Sequence, residues 1–165
     1  AIESNAGHEG LQPALAAYHR ALALQPDYPK VQQTAAEIYL KQQRYDRVLA
    51  TLDRLHDTHG VDTSPARVDV LRGIALKQEG RTDDAKTSFE RAIAKDGSDP
   101  DPLIELAMFE LQQGRLQQAR SHLERARQIA PAGIENSFVD SKLREAEQKV
   151  AVNPASQDGI SNQKR

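Results

Sequence analysis

The chain has 165 residues, enough for one compact domain or one short repeat array with a buried core. Its 22 basic and 24 acidic residues give a formal net charge of −2, which argues against a general nucleic-acid binder because such proteins carry a basic stripe. The absence of cysteine excludes disulfides, thiolate metal sites and a cysteine nucleophile. No apolar run approaches the roughly 18 residues of a membrane-spanning helix, so we expect no membrane insertion.

The composition favours helix throughout, because Ala, Leu, Gln, Glu, Lys and Arg dominate and β-branched residues are sparse. Pro29, Pro65 and Pro100 suit the first turn of a helix, and Ser64 and Asp99 suit the N-cap before it. In chain order, the pattern predicts helices at about 11–25, 29–42, 45–58, 65–79, 82–95, 100–113, 116–129 and 135–150.

Four of these helices share one pattern. A small residue, a large one four positions later and a second small one three positions after that lie on one helical face, and Pro or Gly follows. The second segment is the exception in residue size, with Val48 and Leu55 at the small positions. The segments recur at spacings of 34, 37 and 34 residues, beginning at Ala14, Val48, Ala85 and Ala119. Their large residues are Tyr18, Leu52, Phe89 and Leu123.

These marks resemble the tetratricopeptide repeat family, whose repeats pair a helix A with a helix B. The family's small residue at the eighth place of helix A is matched by Ala36, Gly73 and Ala107. Its turn glycine is matched by Gly80 and Gly114, whereas the second repeat has Gln43. At the fourth place, where the family has a bulky residue, the three repeats have Gln32, Asp69 and Leu103, so two of the three are polar.

The resemblance covers residues 11–131 and implies an all-α, right-handed α-solenoid of antiparallel helix pairs, about three and a half repeats with a C-terminal capping helix. We expect a repeat domain over 1–150, divided into a partial repeat at 1–28, repeats at 29–62, 66–99 and 100–133, and a cap at 134–150. The cap's apolar stripe is predicted to be Phe138 or Val139 with Leu143, Ala146 and Val150. Residues 151–165 are predicted to be a polar disordered tail or linker.

In the resembled family, the free face of helix A lines a concave groove that binds extended or helical peptides. Carried onto this chain, that face holds Lys30, Gln33, Glu37, Leu40, Arg67, Val70, Ile74, Lys77, Asp101, Ile104, Met108 and Leu111. Its apolar floor is predicted to be Val70, Ile74, Ile104, Met108 and Leu111. The sequence therefore predicts a non-catalytic module, without cofactor, that docks a peptide or an amphipathic helix of another protein.

The resemblance also bears on the ligand's charge. Some members hold a C-terminal carboxylate with Lys, Asn and Arg, but here those places hold Gln33, Thr34, Glu37 and Leu71, and only Arg67 fits. This argues against a receptor for acidic chaperone tails. Besides a partner protein, the apolar floor has three alternatives: it is covered by a missing segment of the same chain, it is covered by a second copy of the chain, or it is simply exposed to solvent.

Other functions are also open. The first repeat lacks a full helix A, so upstream sequence or a second chain is expected to complete it, and the chain could be a homo-oligomerisation element. His56 and His59, with Asp57 or Asp62, have the spacing of a metal site, although a helix C-terminus also favours histidine.

No enzyme is expected, because no phosphate-binding glycine loop and no nucleophile paired with a base occur. Four arginines near the chain's end, Arg115, Arg120, Arg125 and Arg127, are predicted to lie on a solvated face. The run at 21–27 favours a bacterial source, and the compartment is open between cytoplasm and periplasm.

Overall fold

The computed structural model describes residues 11–24, 28–131 and 138–152. Within these ranges it contains α-helices and no strand, as the composition predicts. The helices are α1 (Leu11–Leu24), α2 (Pro29–Lys41), α3 (Tyr45–His59), α4 (Ala66–Gln78), α5 (Thr82–Lys95), α6 (Asp101–Gln112), α7 (Leu116–Ile129) and α8 (Phe138–Val152).

The predicted helix positions are confirmed. Helices α1 to α7 begin and end within one residue of the expected positions. The expected start of the last helix at 135 lies outside the described residues. Helix α8 continues to Val152, two residues into the tail predicted at 151–165, and the rest of that tail lies outside the described residues. Regular spacing of the octets and their stop residues accounts for this agreement.

The helices form two compact units, the first containing α1 to α5 and the second α6 to α8. In the first unit α2 packs on α3 and α4 on α5, and contacts between α1 and α2 and between α3 and α4 join these elements. In the second unit α6 packs on α7, and α8 contacts both. Sequential helices therefore pair as hairpins, which is the arrangement that short connections enforce.

The turns inside these hairpins are built alike. Gln43, Gly80 and Gly114 have φ angles of 56°, 75° and 72°, the left-handed region that ends many helices. In the first turn, the amide of Arg44 donates to the carbonyl of Tyr39 (3.0 Å), five residues back, and the other two turns repeat this bond. The turn-glycine prediction is thus confirmed, and Gln43 adopts the glycine conformation despite its side chain.

The core lies where the repeat pattern places it. The large residues Leu52, Phe89 and Leu123 are fully buried, and so are the small residues at the eighth place of helix A. At Gly73 a Cβ would lie 2.5 Å from the ring of Phe89, so only glycine allows α4 and α5 their present approach. The small residue is therefore a packing requirement at this position.

One carboxylate is buried in the first unit. The Asp69 side chain is fully shielded and pairs with Lys95 Nζ (2.6 Å) and the guanidinium of Arg91 (3.0 Å). Lys95 also donates to Ser64 Oγ (2.9 Å) and to the carbonyl of Val61. Two cations thus compensate the charge that occupies the usually bulky fourth place.

Of the two residues predicted to begin the apolar stripe of the capping helix α8, only Val139 packs into the core. Val139 and Leu143 are buried, whereas Phe138 is 65% exposed. Asp140, also buried, pairs with Arg127 at 2.9 Å and with Arg144. The apolar stripe therefore starts at Val139, and Phe138 faces away from the core. The side chain of Val150 lies outside the described residues.

Candidate functional site: an apolar pocket beside the cap

The second unit contains a pocket formed by α6 and α8. Met108 and Leu111, three residues apart, lie on one face of α6. Its volume is about 380 Å³, and its lining consists of Met108, Leu111, Gln112, Phe138, Lys142, Glu145 and Ala146. Two residues of the predicted groove therefore lie beside the cap in one apolar concavity.

The rim of this pocket is charged but internally paired. Lys142 Nζ lies 5.7 Å from the centre of the Phe138 ring and 3.0 Å from Glu145 Oε2. Since the lysine and the glutamate neutralise each other, the pocket presents little net charge. Phe138, Met108 and Leu111 give it an adaptable apolar surface that suits an apolar side chain.

The remaining groove candidates differ in exposure. Lys30 and Asp101 are exposed, and the half-buried ones are Glu37, Leu40, Arg67, Ile74, Lys77 and Ile104. Of these, Leu40 packs against the hydrophobic core of the first unit. The residues from α2 and α4 belong to the first unit and those from α6 to the second.

Two candidates need correction. Val70 is only 1% exposed and Gln33 only 8%, so their side chains cannot line an open groove. Helix α4 is shielded on most of its circumference, because Val68, Asp69, Val70 and Leu71 are all buried in succession. A face left free by the repeat pattern is therefore partly covered at Val70.

The place of the family's carboxylate clamp is already occupied by an acid. Glu37 accepts a hydrogen bond from Gln33 Nε2 (3.1 Å), and Arg67 Nε lies 3.8 Å from the same Glu37 oxygen. Arg67, the one clamp residue that fits, thus faces a carboxylate of its own chain. This arrangement disfavours a second carboxylate from a ligand.

The histidine pair does not form a metal site. His56 is buried, with Nε2 4.0 Å from Asp69 Oδ1. Burial lowers the pKa of His56 because it disfavours the imidazolium. The Asp69 carboxylate acts in the opposite direction and raises the pKa, but nearby cations offset part of that increase. In the portion of the chain that the structure covers, no three His, Cys, Asp or Glu residues could hold a metal ion together.

Most of the C-terminal arginines are held in ion pairs. Arg115 pairs with Glu110, Arg120 with Glu147 and Arg127 with Asp140.

The described helices include none that is both long and apolar enough to cross a membrane.

Phe138 is the largest of the pocket residues that the predicted groove does not include. Its spacing to Lys142 and Glu145 places the three on one face of α8, adjacent to the buried stripe. That spacing was a usable signal, but the choice between Phe138 and Val139 for the core hid it.

Comparison with known proteins agrees with this architecture. The family model described as tetratricopeptide repeat matches residues 11–66 and 76–135, more than half of the chain. No curated protein matches the sequence.

Solved structures share the fold at low identity. TTC0263, a thermophilic TPR protein of Thermus thermophilus, has a TM-score of 0.66 and 21% identity, covering 84% of this chain and 73% of its own. MamA has a TM-score of 0.65 and 18% identity, with coverages of 92% and 98%. The first TPR of Spaghetti (RPAP3), bound to the HSP90 peptide SRMEEVD, has a TM-score of 0.61 and 19% identity, with coverages of 74% and 93%. At these identities the likeness establishes the fold alone.

Proposed function

The chain belongs to the tetratricopeptide repeat family, and we propose that it is a non-catalytic docking module for an apolar peptide or amphipathic helix of a partner protein. The observation that carries this proposal is the apolar pocket of about 380 Å³ that Met108, Leu111 and Phe138 line. The Spaghetti structure, which holds a peptide, supports the proposal because its fold is similar.

The exposed phenylalanine supplies the driving force. Phe138 leaves 65% of its surface in solvent, and covering an aromatic side chain fully stabilises a complex by roughly 1.5–3 kcal/mol. Met108 and Leu111 are half-buried and extend the same surface. A helix with apolar residues three or four positions apart would cover all three side chains.

The ligand is expected to lack an acidic carboxyl terminus at its anchoring point. Glu37 lies beside Arg67 in the first unit, where members of the family that bind acidic tails carry cations. In the second unit, the pocket's own rim combines Lys142 with Glu145 and therefore selects weakly for charge. Shape and apolar contact are left as the main determinants of recognition.

The test uses two exposed apolar residues, one in each unit. Peptides selected by phage display against the wild-type chain would be fluorescein-labelled and titrated by anisotropy. We expect Phe138→Glu to weaken binding by about tenfold or more, since it places a charge in the pocket. Leu24→Glu is the matched control, because Leu24 is 84% exposed and lies outside the pocket. Equal binding by wild type and Phe138→Glu would refute the pocket as the docking site.

A second candidate function is self-association through the first unit. Leu24 and Tyr28 are 84% and 51% exposed, large apolar groups at the end of α1 and just before α2. Two copies that cover these side chains would gain apolar burial. Sedimentation velocity over a wide concentration range tests this: a dimer that Leu24→Glu dissociates and Phe138→Glu leaves intact supports it, and a wild-type monomer throughout rejects it.

A further inference from the structure

The first unit contains a second cleft, which shares no residue with the predicted groove. It is bounded by α1, α2 and α3 and has a volume of about 410 Å³. Its lining consists of His19, Ala23, Gln32, Tyr39, Arg47, Ala50, Thr51 and Arg54. Small residues on the facing helices leave the space open, and polar groups line much of it.

The floor of the cleft is polar and fixed. Gln32 and Tyr39, both from α2, are 1% and 4% exposed. The Tyr39 hydroxyl lies within hydrogen-bond distance of His19 Nε2 (3.0 Å), which joins α2 to α1. Side chains held in this way offer hydrogen-bonding groups at low entropic cost to a ligand.

The α3 wall is cationic. Arg47 and Arg54 are seven residues apart, so they lie on one face about 10 Å apart along the helix axis. Among the described residues, the lining contains no aspartate or glutamate. Arg47 makes a long, exposed contact of 3.9 Å with its neighbour Asp46, and among the described residues Arg54 forms no ion pair.

This cleft differs from two other clefts that arginines line. One lies in the first unit and contains Arg72, Arg81 and Arg91, and one lies in the second unit and contains Arg120, Arg127 and Arg144. Each of those six arginines pairs with a carboxylate of the chain: Arg72 with Asp53, Arg81 with Asp84, Arg91 with Asp69, Arg120 with Glu147, and both Arg127 and Arg144 with Asp140. In the cleft at Arg47 and Arg54, by contrast, Arg47 has only its long contact with Asp46, and Arg54 has no ion pair among the described residues.

We propose that this cleft binds an oxyanion, the carboxylate or phosphate group of a small organic ligand. Guanidinium groups donate paired hydrogen bonds to either group, and Arg54 has these donors uncommitted among the described residues. Thr51, between the two arginines on the same helix face, adds a hydroxyl. Beside Ala23 and Ala50, the cleft has room for the organic part of such a ligand.

The test is an NMR titration of the ¹⁵N-labelled full chain at constant ionic strength, with pyrophosphate in one series and citrate in the other. We expect saturable shifts concentrated at Ala50, Thr51 and Arg54. Arg54→Gln should weaken binding by about tenfold or more, because it removes one of the two guanidinium groups. Arg125→Gln is the control, since Arg125 is an exposed arginine of α7 that lines none of the three clefts compared above.

Each result decides the proposal. Saturation by pyrophosphate alone assigns a phosphate ligand, by citrate alone a carboxylate ligand, and by both a general oxyanion site. The proposal is overturned if neither anion gives saturable shifts, or if Arg54→Gln and Arg125→Gln weaken binding equally. Because Arg54 is exposed, its variant is expected to fold, and an unchanged far-UV circular dichroism spectrum checks this.

Discussion

The contact between Gly73 and Phe89 gives a sharp test of how size is matched between helix A and helix B. A Cβ on residue 73 would lie 2.5 Å from Phe89 Cε1, and the ring is fully buried. The other repeats combine a larger helix A residue with a smaller helix B residue at the same two places: Ala36 with Leu52 and Ala107 with Leu123. We therefore expect Gly73→Ala to destabilise the chain and Phe89→Leu to relieve that effect.

The magnitudes follow from packing. Moving the ring from 2.5 Å to an ordinary contact beyond 3.4 Å requires a shift of about 0.9 Å within a close-packed core. Overpacking of this kind costs about 1–3 kcal/mol, and the better helix propensity of alanine offsets about 1 kcal/mol, so Gly73→Ala should lose about 1 kcal/mol. Phe89→Leu alone should lose about 1–2 kcal/mol. The double variant Gly73→Ala/Phe89→Leu should be no less stable than Phe89→Leu alone. The two substitutions would then have a favourable coupling energy of about 1 kcal/mol or more.

Urea unfolding followed by circular dichroism measures all four free energies of unfolding in the cycle. Gly97→Ala serves as the control, because a Cβ there would meet its nearest atom at 3.7 Å, and its effect should stay within about 0.5 kcal/mol. Additive losses in the double variant would show that the two residues do not constrain each other. The size-matching argument would then be wrong.

Three further predictions concern single positions. Gln43→Gly should raise the free energy of unfolding by about 0.5–1 kcal/mol in urea, because glycine removes the strain of φ 56°, and an unchanged or lower value would contradict this. Since the pKa of His56 is lowered in the folded chain, the unfolded chain binds more protons as the pH falls through 6.5, so the free energy of unfolding should decrease below that pH. His56→Gln should flatten this pH dependence in thermal melts, and an unchanged pH dependence would contradict the assignment. Asp69→Asn should lower the free energy of unfolding in urea by about 3 kcal/mol, because it leaves the ammonium group of Lys95 without its carboxylate. The double variant Asp69→Leu/Lys95→Met removes both charges and should be close to wild type in stability, so an equal loss in the two variants would refute the charge-pair account.

The sequence predicted the helices well because their limits depend on local signals. Pro29 begins α2 as expected, and Gly80 and Gly114 mark the turns that follow α4 and α6. Gln43 has no such signal, yet its turn forms in the same place because the repeat spacing sets it. Local chemistry and the repeat period therefore agree at Gly80 and Gly114, and at Gln43 the period is sufficient without the local signal.

The pocket was only partly predictable, because exposure depends on which helix covers which face. Met108 and Leu111 were identified from the free face of α6, but Val70, from the corresponding face of α4, is buried. Phe138 and Val139 are adjacent and both apolar, so hydropathy could not decide which faces the core. Only packing shows that Val139 is inside and that Phe138 completes the pocket.

The polar fourth place of the third repeat and the longer spacing before that repeat form one structural solution. A carboxylate buried as deeply as Asp69 needs a cation, and Lys95, its side chain 15% exposed, is itself shielded and needs further acceptors. The connection between α3 and α4, where the spacing rises from 34 to 37 residues, supplies them through the carbonyl of Val61 and the hydroxyl of Ser64. In the fourth repeat Leu103 takes the place of the aspartate, and the spacing returns to 34 residues. The buried aspartate and the longer connection are therefore explained together, because both bind the ammonium group of Lys95.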